Sequence, residues 1–180
     1  ELLRDRTATQ PAAASREVHR LLTEGIKVTV RDGNTGRDEP VTLRAIDWDD
    51  PARNDFTAVR QLTLQGPLYE CRPDLVLFVN GLPWVVIELK KPSVPARQAF
   101  EENLTSYQHT QNGVPQLFAY NALLIASNGT DSRVGALTAD WERFFEWKRI
   151  AREDEERHVS LETLLRGVCD KARLLDLVQN

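Results

Sequence analysis

The run from Arg72 to Lys91, RPDLVLFVNGLPWVVIELKK, places two strand-length apolar segments, 74–79 and 84–90, on either side of a short turn. A strand that is apolar on both faces has to be covered on both. This hairpin therefore predicts the centre of a sheet flanked by helices, an α/β architecture with a mixed central sheet. The ends of its strands are charged: Asp74 opens one, and Glu88 and Lys90 close the other. Apolar strands ordinarily end in neutral turn residues, so three charges gathered there call for a chemical reason.

Strand periodicity turns that observation into geometry. Glu88 and Lys90 are two apart and share a face. Asp74 joins them if it pairs opposite Glu88, which requires an odd number of unpaired turn residues or a bulge. The expected form is a three-residue turn, Asn80-Gly81-Leu82, with Gly81 at positive φ. A regular two- or four-residue turn would send Asp74 to the opposite face. Directly opposed side chains sit about 4.5–5.5 Å apart at Cβ. Two carboxylates that close repel, and one tends to protonate unless a cation lies between them. Mg²⁺ suits such a site, because it takes hard oxygen ligands and keeps several waters. Asp74, Glu88 and the backbone carbonyl of Leu89 are the expected ligands. Such a metal polarises a phosphoryl oxygen and lowers the pKa of a bound water. Lys90 would orient that water or stabilise charge developing on the phosphate.

The rest of the chain is ordinary globular sequence. Its 180 residues, 41% hydrophobic and 28% charged, suffice for one domain with a full core. We expect that domain over 1–150, with a helical extension over 151–180. A helix is expected over 16–24, capped by Ser15 and stopped by Gly25, then strands near 26–30, 41–46 and 57–64. After the central hairpin, Pro92 and Pro95 predict a helix start with Ser93 as cap. Phe100, Leu104 and Tyr107 form its apolar face, and Asn112-Gly113 ends it. A buried strand over 121–127 and an edge strand near 134–138 follow. Trp141, Phe144, Phe145 and Trp147 have helical spacing. Ser160 opens an amphipathic helix carrying Leu161, Leu164, Leu165, Val168, Ala172 and Leu175.

Several function classes are disfavoured. Cys71 and Cys169 lie far apart, and His19, His109 and His158 are scattered, so neither a disulfide framework nor a zinc cluster is expected. No apolar run approaches the ~20 residues of a membrane span, and no signal-peptide core is visible, so a cytoplasmic protein without membrane contact is expected. The net charge of −4 argues against a basic nucleic-acid coat. Basic residues nevertheless gather locally: Arg60, Arg72, Lys90, Lys91 and Arg97. Of these, Arg72, Lys91 and Arg97 are candidates for phosphate contact. The lack of methionine suggests an excised part of a longer protein, and no phosphate-binding Gly-x-x-x-x-Gly-Lys-[Ser/Thr] loop is present.

Pro73-Asp74 followed by Glu88-x-Lys90 resembles the PD-(D/E)xK nuclease signature. The resemblance widens over 54–150, where the text looks like the N-terminal nuclease domain of the type I restriction enzyme R subunit. It is carried by Asn54-Asp55-Phe56 with Gln61, by the hairpin itself, and by NLTSYQ, PQLFAYNALLIASNG and WERFFEWKRI. The resemblance implies a restriction-endonuclease-like fold and Mg²⁺-dependent cleavage of double-stranded DNA. It also implies fusion to an ATP-driven motor beyond this chain, and assembly with modification and specificity subunits. The helix over 160–178 would then bridge to the motor. Many relatives carry Gln-x-x-x-Tyr on the helix after the lysine; here Asn103 and Tyr107 stand at those positions, an asparagine replacing the glutamine. An upstream acidic ligand occurs on some relatives' first helix, for which Glu17 and Glu24 are the candidates. Two other readings compete: a repair or junction-resolving nuclease on the same fold, and a docking module that regulates a neighbouring motor.

Overall fold

The computed structural model describes residues 11–180. The described elements open with the helix α1 (Pro11–Glu24), then β1 (Ile26–Arg31) and β2 (Asp38–Leu43), which among the described residues pair only with each other. Then follow β3 (Phe56–Arg60), the short β4 (Leu64–Gln65) and β5 (Glu70–Cys71), and the central strands β6 (Leu75–Val79) and β7 (Leu82–Leu89). A helix α2 over 96–108 leads to β8 (Leu123–Ser127), β9 (Ser132–Gly135) and β10 (Phe145–Glu146). The helices α3 (Leu161–Val168) and α4 (Lys171–Gln179) close the chain.

Six strands form one mixed sheet in the order β10-β9-β8-β7-β6-β3. Only β7 and β8 run parallel; the connection between them contains α2, as a parallel pair requires. The apolar hairpin thus holds the two central positions that its composition demands. Alternation along β7 feeds two separate cores. Val85 and Ile87 pack with Val18 and Leu22 of α1, and with Leu164, Leu174 and Leu175 of α3 and α4. Val86 packs on the other face, with Val76, Leu104, Phe118, Leu124 and Phe144. The two C-terminal helices are therefore part of the first core.

The turn differs from expectation in an instructive way. Asn80 and Gly81 alone form it, both at positive φ (49° and 78°), the two-residue turn whose twist matches that of the flanking strands. The face is corrected instead by a bulge: Leu77 pairs with Val85 but Phe78 with Pro83, leaving Trp84 as the extra residue. Trp84 and Val85, though adjacent, therefore both enter the first core.

Other boundaries shift for local reasons. α1 already includes Pro11–Ala14, so Ser15 lies inside it and its hydroxyl donates to the Asn121 carbonyl at 3.4 Å. The strand expected over 57–64 splits: β3 joins the main sheet, while β4 pairs with β5 in a separate ribbon. Pro95, not Ser93, precedes α2, and its Ala99–Leu104 segment is π-wound. Trp141–Arg143 is a 3₁₀ turn leading into β10, so the four aromatics share no helix: Trp141 and Phe144 pack on Phe100, whereas Phe145 meets Trp147. The C-terminal helix breaks at Asp170, whose carboxylate accepts from the Arg173 amide and starts α4 anew.

Candidate active site

The bulge at Trp84 keeps Leu75 opposite Ile87, so the next pair outward is Asp74 with Glu88. The Asp74 backbone N–H donates to Glu88 Oε1 at 3.3 Å, and the Leu89 N–H donates to Asp74 Oδ2 at 2.9 Å. Both carboxylates thus converge at one end of β6 and β7. Glu88 is only 3% exposed, on the face that carries Val86. Burial, and next the charge of Asp74, push its carboxyl from the ordinary 4.5 up to about 7.

Lys90 follows Glu88 out of the strand, its N–H donating to the Ser127 carbonyl of β8 at 2.8 Å. Its ammonium lies 3.1 Å from Glu102 Oε2 on α2. Glu102 has no signal in the sequence, because its twelve-residue offset from Lys90 crosses a turn and half a helix. α2 also brings Tyr107 close enough to Glu88 for the two groups to perturb each other's titration. Burial and the nearby Glu88 raise the phenol's pKa, which keeps it a donor. Asn103 Nδ2 donates in turn to the Tyr107 hydroxyl at 3.3 Å, so the shorter amide reaches the tyrosine. Asn103 Oδ1 is buried with no hydrogen-bond partner.

Gln61 is the residue that reasoning from the strands did not place at the site. The antiparallel pairing of Arg60 with Leu75 puts it beside Asp74, on the side away from Glu88. Its N–H donates to the Asp74 carbonyl at 3.0 Å, and its Nε2 donates to Asp74 Oδ1 at 2.6 Å. It adopts φ 52°, a left-handed conformation that costs an L-residue on the order of 1–2 kcal/mol. The signal available was the pairing of 57–60 with 75–78, which the alternation of neither segment specifies.

Not every candidate converges here. Glu17 and Glu24 lie on α1, which covers the opposite face through Val18 and Leu22. Glu24 pairs with Arg20 at 3.1 Å. Among the described residues no group of three or more His, Cys, Asp and Glu side chains could hold a metal ion, so neither glutamate joins Asp74 and Glu88. Arg97 is engaged by Glu101 at 2.6 Å and Glu142 at 3.6 Å. Arg72 and Lys91 are exposed, flanking Asp74 and Lys90 in sequence. A cavity of about 540 Å³, lined by His19, Trp84, Asn121 and Val178 among others, lies toward the turn end of β7, away from Glu88. Among the described residues no helix is long and apolar enough to cross a membrane.

The architecture and its polar end define a class: a mixed α/β domain whose central hairpin presents paired carboxylates and a lysine beside a tyrosine-bearing helix. Comparison with known proteins narrows that class. Residues 1–143 match the family described as the type I restriction enzyme R protein N terminus, and the chain belongs to it. It is 34% identical over 169 residues to the type I restriction enzyme HindI endonuclease subunit of Haemophilus influenzae, covering 89% of this chain and 16% of the relative. It is 27% identical to the putative type I restriction enzyme MjaIXP endonuclease subunit of Methanocaldococcus jannaschii, covering 90% of this chain and 17% of the relative. A shorter match, 40% identical over 86 residues, joins it to the type I restriction enzyme EcoprrI endonuclease subunit of Escherichia coli, over 48% of this chain and 27% of the relative. The chain thus spans about a sixth of the length of the first two relatives.

Proposed function

We propose that this site is a Mg²⁺-dependent endonuclease centre of the PD-(D/E)xK kind. It would hydrolyse phosphodiester bonds of double-stranded DNA as the cleavage module of an ATP-dependent type I restriction-modification complex. The observation that carries the reading is the bulge-corrected register that brings Asp74 against Glu88, in a chain of this family. The donor set fits Mg²⁺. Two hard carboxylates and the Leu89 carbonyl leave several positions for water, and nitrogen or sulfur ligands are not among them. Burial and the charge of Asp74 disfavour the ionised form of Glu88, and a cation between the two carboxylates would favour it again. When bound, the ion would polarise a phosphoryl oxygen.

The protein's own groups have separable roles. Asp74 and Glu88 hold the cation. Tyr107, held by Asn103, would donate its hydroxyl to Glu88 in the loaded site. Lys90, released from its exposed partner Glu102, places its ammonium against the phosphate and stabilises the charge that develops there. Arg72 and Lys91 add positive field for the DNA backbone. The relatives' printed names, endonuclease subunits of type I restriction enzymes, support a role in a restriction complex. Its modification and specificity subunits would be the partners, in the cytoplasm. ATP would act in the complete enzyme and not at this site.

The test is nicking of supercoiled plasmid in Mg²⁺ or Mn²⁺, alongside calorimetric titration of Mn²⁺. Asp74→Ala, Glu88→Ala and Lys90→Ala should each lower cleavage at least about 100-fold. The two carboxylate variants should also lose the Mn²⁺ heat, with circular dichroism unchanged throughout. Wild-type activity in all three would leave a docking role as the better reading.

A further inference from the structure

We propose that Gln61 is a positioning residue for the cation site, fixing the plane of the Asp74 carboxylate from the neighbouring strand. The inference rests on the nuclease reading above and adds a residue to it. Extending the observed registers by one step gives a row across four strands: Gln61 beyond β3, Asp74 beyond β6, Glu88 on β7 and Ala126 on β8. Gln61 is the outer member of that row and touches Asp74 twice, through its backbone N–H and through its side-chain amide.

The backbone conformation argues that the side chain is there for a purpose. Among the described residues only Gln61 and Asn80 have positive φ without being glycine. Asn80 occupies a two-residue turn, where asparagine is among the favoured residues, and its side chain accepts from the Asp55 N–H at 2.7 Å. Gln61 has no such local reward. Its Nε2 reaches across the strand to Asp74 Oδ1 instead. The Leu89 N–H holds Oδ2, so each carboxylate oxygen is fixed by one donor and keeps lone pairs free for a cation. The Leu89 donor is backbone; Gln61 is the side chain that completes the clamp. Supporting contacts of this type orient a ligand, and their loss typically weakens metal affinity 10- to 100-fold.

Gln61→Gly separates this role from a structural one, because Gln61 is exposed and glycine accepts positive φ without strain. Calorimetry with Mn²⁺, thermal unfolding and plasmid nicking are measured on wild type, Asp74→Ala, Gln61→Gly and Gln61→Asn. Asparagine tolerates the backbone conformation but carries its amide one methylene short. Expected for both Gln61 variants is an unfolding temperature equal to or above wild type, Mn²⁺ affinity reduced roughly tenfold or more, and cleavage reduced in parallel. Wild-type Mn²⁺ affinity in Gln61→Gly overturns the inference, and a lowered unfolding temperature with unchanged affinity does so too, assigning Gln61 to structure alone. Absence of Mn²⁺ binding by the wild type itself would overturn the nuclease reading and this inference with it.

Discussion

β6–β7 and β1–β2 are both antiparallel hairpins with valine-rich strands, yet Val76, Val79, Val85 and Val86 are fully buried, whereas Val30 is 47% and Val41 39% exposed. The difference lies in how the apolar residues are spaced. In β1–β2 they alternate: Ile26 pairs with Leu43 and Val28 with Val41, so one face is apolar and the other polar. Such a ribbon satisfies its hydrogen bonds in pairs and demands cover on one face only; among the described residues it pairs with no further strand. In β6–β7 the apolar residues are continuous, both faces demand cover, and β3 and β8 flank the pair. Charge takes its meaning from the same contrast. Asp38 and Glu39 on the ribbon are solvated, while Glu88 at the end of the central hairpin is enclosed and pushed to about 7. A carboxylate at a strand end is informative when the strand it ends is apolar on both sides.

The largest test of this contrast is Trp84→Ala. Trp84 is the bulged residue, fully buried and stacked on Trp48 with ring centroids 5.8 Å apart. Its truncation should cost about 3–5 kcal/mol, read from urea unfolding. A loss near 1 kcal/mol would mean that this hairpin is no more locked into the core than the ribbon is.

Glu88→Gln probes the enclosed charge. Between about pH 4.5 and 7 the native state holds a proton on Glu88 that the unfolded chain has released. Stability therefore falls as pH rises through that window, by at most about 3 kcal/mol, and the deficit is complete above it. The glutamine variant lacks this slope. In metal-free buffer it should match wild type near pH 4 and exceed it at pH 8, even as it loses cleavage. Parallel pH profiles of the two proteins would show that Glu88 is not enclosed. Adding Mn²⁺ should narrow the gap at pH 8 by stabilising the wild type.

Much of this site was legible because it depends on strand arithmetic. The two-residue spacing of Glu88 and Lys90, the apolar run on both faces and the requirement for an odd turn or a bulge are properties of residue order. Which of the two solutions operates was not legible. Asn80-Gly81 is the strongest two-residue turn signal, but a bulge at Trp84 depends on the space that Trp48 and α1 leave for an extra indole. Gln61 and Glu102 were beyond reach for the same reason: each meets the site through a pairing between distant segments. Tyr107 lay on a predictable apolar face, but only the packing of α2 shows that it lies near Glu88.

The smallest expected effect belongs to the ribbon, and a matched pair of substitutions isolates it. Valine to threonine preserves shape and β-propensity while replacing a methyl with a hydroxyl. At Val85, fully buried in the first core, the hydroxyl loses its water and should cost about 1–3 kcal/mol. At Val30, open to solvent beside Glu39, the same change should fall within about 0.5 kcal/mol of zero in urea unfolding. The difference between the two values measures how far the apolar face of β1–β2 is covered in solution. If Val30→Thr cost as much as Val85→Thr, the ribbon would have to be buried against a second molecule, and its loss should then grow as the protein is concentrated. If it stays near zero at every concentration, alternation alone has set the fate of that hairpin, and the contrast with the continuous strands of the site holds.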